Sequence, residues 1–170
     1  MEVNNAKGSA RLLDLCLQDS HMVAGEKFDE QLLISLLQAG GKQAVLLYPA
    51  TTQNDADDLQ YEPPEFALQD HALANMRLVI IDATWRKSRK MLYLNPLLQQ
   101  LPRLSLQDMP ASHYSIRKAH AADQLSTLEA TCYALMQLEQ DEEKYQPLLQ
   151  AFDGFVGQQM GFSVKTPIAN

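Results

Sequence analysis

The chain has 170 residues, 46% apolar and 21% charged, which suits one soluble domain with a sizeable core. Its net charge of −7 argues against an indiscriminate nucleic-acid binder, and no apolar run approaches the ~20 residues of a membrane helix. Two cysteines and four histidines without a CxxC or HxxxH pattern disfavour a metal site, and without a signal segment we expect a cytoplasmic protein.

The first half of the chain predicts two helices and two strands. Apolar periodicity indicates a helix over 10–18, and a second helix begins near Asp29 and ends at Gly40 and Gly41. Segment 21–29 is interpreted as a short strand and turn, and the apolar run 44–49 as a buried strand. The acidic, proline-containing stretch 50–66 predicts a flexible loop.

The second half predicts strands and helices in alternation. A buried strand over 77–82 leads into a helix over 83–94 that Thr84 caps or begins. A short helix (95–102), a strand (103–106) and helices over 126–140 and 144–159 follow. This order is typical of an α/β domain with a mostly parallel central sheet flanked by helices.

Two predicted strands end in polar or aromatic residues. The first ends at Tyr48, Pro49 and Ala50, and the second at Asp82-Ala83-Thr84-Trp85. Ligands of such sheets bind beyond the carboxyl ends of the strands, so these residues are candidates for a site. The alternatives are that Asp82 only accepts backbone N–H groups of the next helix and that Trp85 is a core anchor.

Positive charge is concentrated in one part of the chain. Residues 82–118 contain seven bases and two acids, whereas the remainder contains seven bases and nineteen acids. Helical spacing groups Arg86 with Arg89 and Lys90, which makes a phosphate-facing patch available. The alternative is an ordinary solvated helix face.

A second group of polar residues lies in "SHYSIRKAHAADQLSTLEA", residues 112–130. Ser126 and Glu129 have the spacing of a capping box, and this role alone would explain them. In the functional interpretation, Arg117 and the N–H groups at the helix start hold a carboxylate or phosphate.

Taken together, "DATW" before a basic helix and the downstream "STLEA" resemble the DTW-domain family of tRNA-uridine aminocarboxypropyltransferases. The segments "LLYP" and "KGSARLL" fit the same order of motifs, and the resemblance covers about 8–140. It implies a single DTW-type catalytic domain over 1–170, without the N-terminal cysteine cluster of many members. It also implies a SPOUT-like fold with a deep trefoil knot, which periodicity could not have shown.

The resemblance implies a reaction in which the 3-amino-3-carboxypropyl group of S-adenosylmethionine moves to N3 of a tRNA uridine, in the variable loop in bacterial members. Methylthioadenosine is released. Rival interpretations are a SPOUT-like S-adenosylmethionine-dependent RNA methyltransferase and a non-catalytic RNA-binding module. We expect tRNA as the partner, no membrane, no metal, and a monomer in preference to a dimer.

Site roles follow from this resemblance. Asp82 would be the base that takes the N3 proton. Trp85 would wall the pocket or stack near a base. The residues expected to bind the cofactor are Tyr48, Pro49, Ala50, Thr84, Trp85, Leu125, Ser126, Thr127 and Glu129. Those expected to contact RNA are Arg86, Lys87, Arg89, Lys90, Arg117 and Lys118.

Overall fold

A computed structural model of the protein describes residues 9–50, 61, 63–64, 66, 72–106 and 125–163. The described helices are α1 (Ser9–Cys16), α2 (Glu30–Gln38), α3 (Trp85–Leu94), α4 (Pro96–Gln99), α5 (Thr127–Glu139) and α6 (Gln146–Ser163). The described strands are β1 (Gln43–Leu47), β2 (Met76–Val79) and β3 (Arg103–Leu104), and 3-10 turns cover Ala39–Gly41 and Leu73–Asn75. No helix among these residues is long and apolar enough to cross a membrane.

The described strands form a three-stranded parallel sheet in the order β2-β1-β3. Leu46 of β1 lies opposite Val79 on one side and Arg103 on the other. Pairing with β3 continues past the end of β1, because the Tyr48 N–H donates to the Leu104 carbonyl at 3.1 Å. The predicted α/β class and parallel sheet are confirmed.

The ends of α2 show why it begins and stops where it does. Asp29 accepts a hydrogen bond from the Leu32 N–H at 3.0 Å and thereby caps the first turn. Gly40 and Gly41 follow with φ of 69° and 66°, a left-handed conformation that glycine adopts without steric cost. The chain then turns directly into the central strand, β1.

Two strand predictions need correction. Segment 21–29 has no strand, because Asn95 holds it through its side chain: Asn95 Oδ1 accepts from the Phe28 N–H at 2.9 Å and Nδ2 donates to the Glu26 carbonyl at 2.8 Å. The same amide donates to the Met91 carbonyl at 2.7 Å, which ties the segment to the end of α3. The strand predicted over 77–82 spans Met76–Val79, so Asp82 lies three residues beyond it.

The apolar core consists of two clusters. The sheet-side cluster contains Leu33, Leu46, Leu92 and Leu98 and lies around β1. The helical cluster joins α1, α5 and α6 and contains Leu13, Leu128, Cys132, Met136, Leu149, Phe152 and Val156. Both cysteines are free; Cys132 is buried and Cys16 is exposed.

Candidate active site at the carboxyl edge of the sheet

The strand order β2-β1-β3 means that the chain reverses the direction in which it adds strands to the sheet. The chain leaves β1 to form β2 on one side, and then crosses to the other side of β1 to form β3. The loops after β1 and β2 therefore diverge, which is the arrangement that opens ligand crevices in parallel sheets. The candidate residues Tyr48 to Ala50 and Asp82 to Trp85 follow these two strands.

Asp82 is exposed, and its carboxylate contacts the first residue of α5. The Thr127 hydroxyl donates to Asp82 Oδ1 at 2.5 Å, across 45 residues of sequence. A hydrogen bond to a carboxylate is charge-assisted and fixes the orientation of the acid. Within the described part of the chain, this contact engages Oδ1 alone, which leaves Oδ2 available for another partner. The sequence had suggested backbone donors for this acid, but the observed donor is a side chain.

The start of α5 is rigidly built. Ser126 Oγ accepts from the Glu129 N–H at 3.2 Å, and the Glu129 carboxylate accepts from the Ser126 N–H at 2.8 Å, so the predicted capping box is confirmed. Both residues are buried. The Thr131 hydroxyl also donates to the Thr127 carbonyl at 2.6 Å. Thr127 therefore presents its hydroxyl to Asp82 from a fixed backbone.

Aromatic rings flank the same edge. Thr84 caps α3 by accepting from the Lys87 N–H, as predicted, and Trp85 is the first residue of the helix. The Trp85 ring meets the Tyr48 ring edge to face, with centroids 5.8 Å apart and an interplanar angle of 74°. Trp85 remains 53% exposed, which disfavours a role as a simple core anchor.

Two further residues contact Tyr48 that sequence patterns did not single out. Buried Ser88 donates its hydroxyl to the Trp85 carbonyl at 2.9 Å, so its oxygen accepts from the Tyr48 hydroxyl at 3.0 Å. The Arg103 guanidinium lies 5.1 Å from the Tyr48 ring centroid and donates to the Pro49 carbonyl at 3.3 Å. Only the pairing of β1 with β3 places Arg103 here, and no sequence motif signals it.

The basic residues of α3 are exposed, as the predicted patch requires. Arg86, Lys87, Arg89 and Lys90 occupy this helix, which has no acidic residue. Lys90 forms an ion pair with Glu26 at 2.6 Å, and this contact lowers the pKa of the Glu26 carboxyl. Arg117 and Lys118 lie outside the described residues. Within the described ranges, no group of three or more side chains is arranged to hold a metal ion.

A concave opening of about 360 Å³ lies at the opposite, amino end of β1. Its walls include Ile34, Leu37, Leu97 and Leu101, with Gln38 and Lys42 among the polar residues. These side chains offer apolar contact and no acid–base pair. The groups suited to chemistry therefore lie at the carboxyl edge and not in this opening.

The family model of the DTW domain matches residues 1–160, which include Asp82-Ala83-Thr84-Trp85. The chain belongs to the DTW-domain family. Among curated proteins, this DTW protein is similar to tRNA-uridine aminocarboxypropyltransferase 2 of Macaca fascicularis, with 28% identity over 152 residues. The match covers 88% of the chain and 48% of the relative, so the DTW protein spans about half of that relative's length. No solved structure matches it significantly.

Proposed function

We propose that the protein is a tRNA-uridine aminocarboxypropyltransferase. The uridine N3 would displace methylthioadenosine from the γ-carbon of S-adenosylmethionine: an N–C bond forms, the C–S bond breaks, and the N3 proton goes to a base. Family membership and the similarity to tRNA-uridine aminocarboxypropyltransferase 2 support this assignment. The observation that carries it is the exposed Asp82 of the family motif, oriented by Thr127 at the carboxyl edge of the sheet.

Asp82 is the proposed base. The uridine N3 is protonated near neutral pH, so attack through N3 requires a group that accepts this proton. With Oδ1 held by the Thr127 hydroxyl, Oδ2 can face the imide. A positioned base typically contributes about 10² to 10⁴ in rate, and alignment of the reacting atoms can contribute more.

The residues at this edge suit a sulfonium-bearing donor. When bound, S-adenosylmethionine supplies an electrophilic γ-carbon and a positive charge. Aromatic ring faces attract such charges within about 6 Å. Because Arg103 lies over the Tyr48 ring, the half-exposed Trp85 is the ring with surface to offer. The other residues proposed to line the donor site are Tyr48, Pro49, Ala50, Thr84, Leu125, Ser126, Thr127 and Glu129, the last acting through the capping box.

The basic face of α3 is proposed to bind the tRNA backbone. Its exposed bases contrast with a chain of net charge −7 and can position a phosphate backbone without reading its sequence. Arg117 and Lys118 would extend this contact. The SPOUT-like knotted topology and the variable-loop uridine are part of the same proposal and rest on the family resemblance.

The decisive experiment is incubation of the protein with unmodified tRNA and S-adenosylmethionine, followed by nucleoside mass spectrometry and analysis of the released thioether. Aminocarboxypropyl-uridine with methylthioadenosine is the expected result. Methylated nucleoside with S-adenosylhomocysteine would instead identify a methyltransferase. No modified nucleoside and no donor binding at millimolar concentration would indicate a non-catalytic module. The Asp82→Asn protein is the matched control, since its side chain keeps the shape but loses the base.

A further inference from the structure

One aromatic residue of α3 is not used by the proposed site. Tyr93 is 59% exposed, more than Trp85, although aromatic side chains usually bury their rings. At about 100° per residue, it lies about 40° around the helix from Arg89 and about 20° from Arg86. Around the helix axis, Tyr93 therefore lies between Arg86 and Arg89, three residues beyond the last base of the face, Lys90.

The opposite side of α3 packs against the rest of the protein. Ser88 and Leu92 are buried, and Asn95 at the helix end holds the segment before α2. The basic face thus has a fixed orientation relative to the sheet. It begins at Trp85, beside the carboxyl edge, and Tyr93 lies eight residues further, about 12 Å along the helix axis.

Resting on the proposed function, we propose that this face binds single-stranded RNA next to the modified uridine, with Tyr93 stacking on one base. Guanidinium and ammonium groups beside a ring are the combination that binds unpaired strands: cations contact phosphates and the ring covers a base. A span of about 12 Å corresponds to about three steps of a stacked strand. The target uridine would lie at the Asp82 end and its neighbours along α3.

Charge complementarity favours this partner over a second protein surface. Helix α3 contributes four bases and no acid, whereas the other residues of the chain are strongly acidic in sum. Arg86 and Arg89 lie about 20° and 40° around the helix from Tyr93, nearer than Lys90 at about 60°, so they are the residues expected to contact phosphates. An unpaired strand is required, because bases in a duplex are not open to stacking on a side chain.

The test uses the full chain and a fluorescein-labelled uridine-rich RNA decamer, as a single strand and as a duplex, with Kd from anisotropy. Tyr93→Ala is expected to weaken single-strand binding about tenfold, and Tyr93→Phe, which keeps the ring, by about twofold or less. On the duplex, Tyr93→Ala should have no effect. Because Tyr93 is exposed, the melting temperature should not change, which excludes misfolding as the cause.

A second pair of variants tests the cations. Arg86→Glu with Arg89→Glu should lower affinity and flatten its salt dependence, while Arg11→Glu, at an exposed residue of α1, should leave the slope closer to the wild-type value. Unchanged single-strand affinity in Tyr93→Ala, or an equal loss on the duplex, would overturn the proposal. If the protein modifies tRNA but binds the single strand equally well without the Tyr93 ring, this surface is rejected and the proposed function stands. If binding depends on Tyr93 but no group is transferred to tRNA, the surface stands and the proposed function is rejected.

Discussion

The two apolar clusters of the molecule are built differently, and the candidate site draws on both. The sheet-side cluster packs three short helices against β1 and is surrounded by polar contacts, including the Asn95 amide and the Ser88–Tyr48 hydroxyl pair. The helical cluster is a seam of three helices with apolar side chains throughout, and burial there raises the pKa of the Cys132 thiol to about 12.

Asp82 follows a strand of the first region, and Thr127 begins a helix of the second. Their hydrogen bond joins the two. The proposed base follows a strand of the sheet-side region, while its orientation depends on a helix anchored in the helical cluster. The proposed transfer should therefore be sensitive to changes in both regions, but for different reasons.

The largest effect is expected at the carboxylate itself. Asp82→Asn keeps the size of the side chain and an oxygen that can accept from Thr127, but it cannot take the N3 proton. We expect transfer to fall by about 10² to 10⁴, with donor affinity by calorimetry and melting temperature little changed. Turnover at the wild-type rate would remove Asp82 as the base.

Truncation in the cores tests whether the two regions unfold together. Leu46 and Leu128 are both fully buried, one in each cluster, so Leu46→Ala and Leu128→Ala should each cost about 2–5 kcal/mol of unfolding free energy. In chemical denaturation each should shift one common transition. Leu15→Ala, at a residue 74% exposed, is the control and should change stability by less than about 0.5 kcal/mol. Two separate transitions would show that the regions are independent.

Thr127→Val removes the hydroxyl that joins the regions and keeps the side-chain shape. Since a hydrogen bond to a charged group contributes about 1.5–3 kcal/mol, kcat should fall about 10- to 100-fold while KM for tRNA changes little. Thr127→Ser retains the hydroxyl and should recover most of the activity. Equal activity of the valine and serine proteins would mean that the contact does not orient the base.

The smallest effect is expected at the edge of the basic face. Glu26→Gln removes the acid paired with Lys90 and should raise RNA affinity about threefold. The pKa of Glu26 is lowered by Lys90, so the carboxylate is charged at neutral pH and becomes protonated only as pH falls through that lowered value. The difference from wild type should therefore be present near pH 7 and disappear in acid. A difference that persists at low pH would assign it to something other than charge.

Local signals in the sequence predicted most elements of the fold. The capping box of Ser126 and Glu129, Thr84 as a helix cap and the glycine pair after α2 all act within a few residues, and each is confirmed. The strand predicted near His21 was wrong because a distant amide, Asn95, supplies the partners that a neighbouring strand would otherwise have provided.

The sequence predicted which residues belong to the candidate site, but not which of them contact each other. Asp82 and Thr127 were both named from the motifs, but their hydrogen bond depends on how α5 docks, which no local pattern encodes. Arg103 reaches Tyr48 only because β3 pairs in register with β1. Ser88 could not be predicted as a site residue, because a serine on the buried side of a helix has no distinctive sequence signal. Its role becomes visible only when its contact with the Tyr48 hydroxyl is known.

The Asn95 side chain also bears on how the protein ages. Asparagine commonly deamidates when the backbone nitrogen of the next residue attacks its side chain to form a succinimide. Here the next residue is Pro96, which has no backbone N–H, so this route is blocked. Conversion to aspartate would replace two amide donors with acceptors facing the Glu26 and Met91 carbonyls. The junction between α3 and α4 thus depends on an amide side chain that Pro96 protects from deamidation by this route.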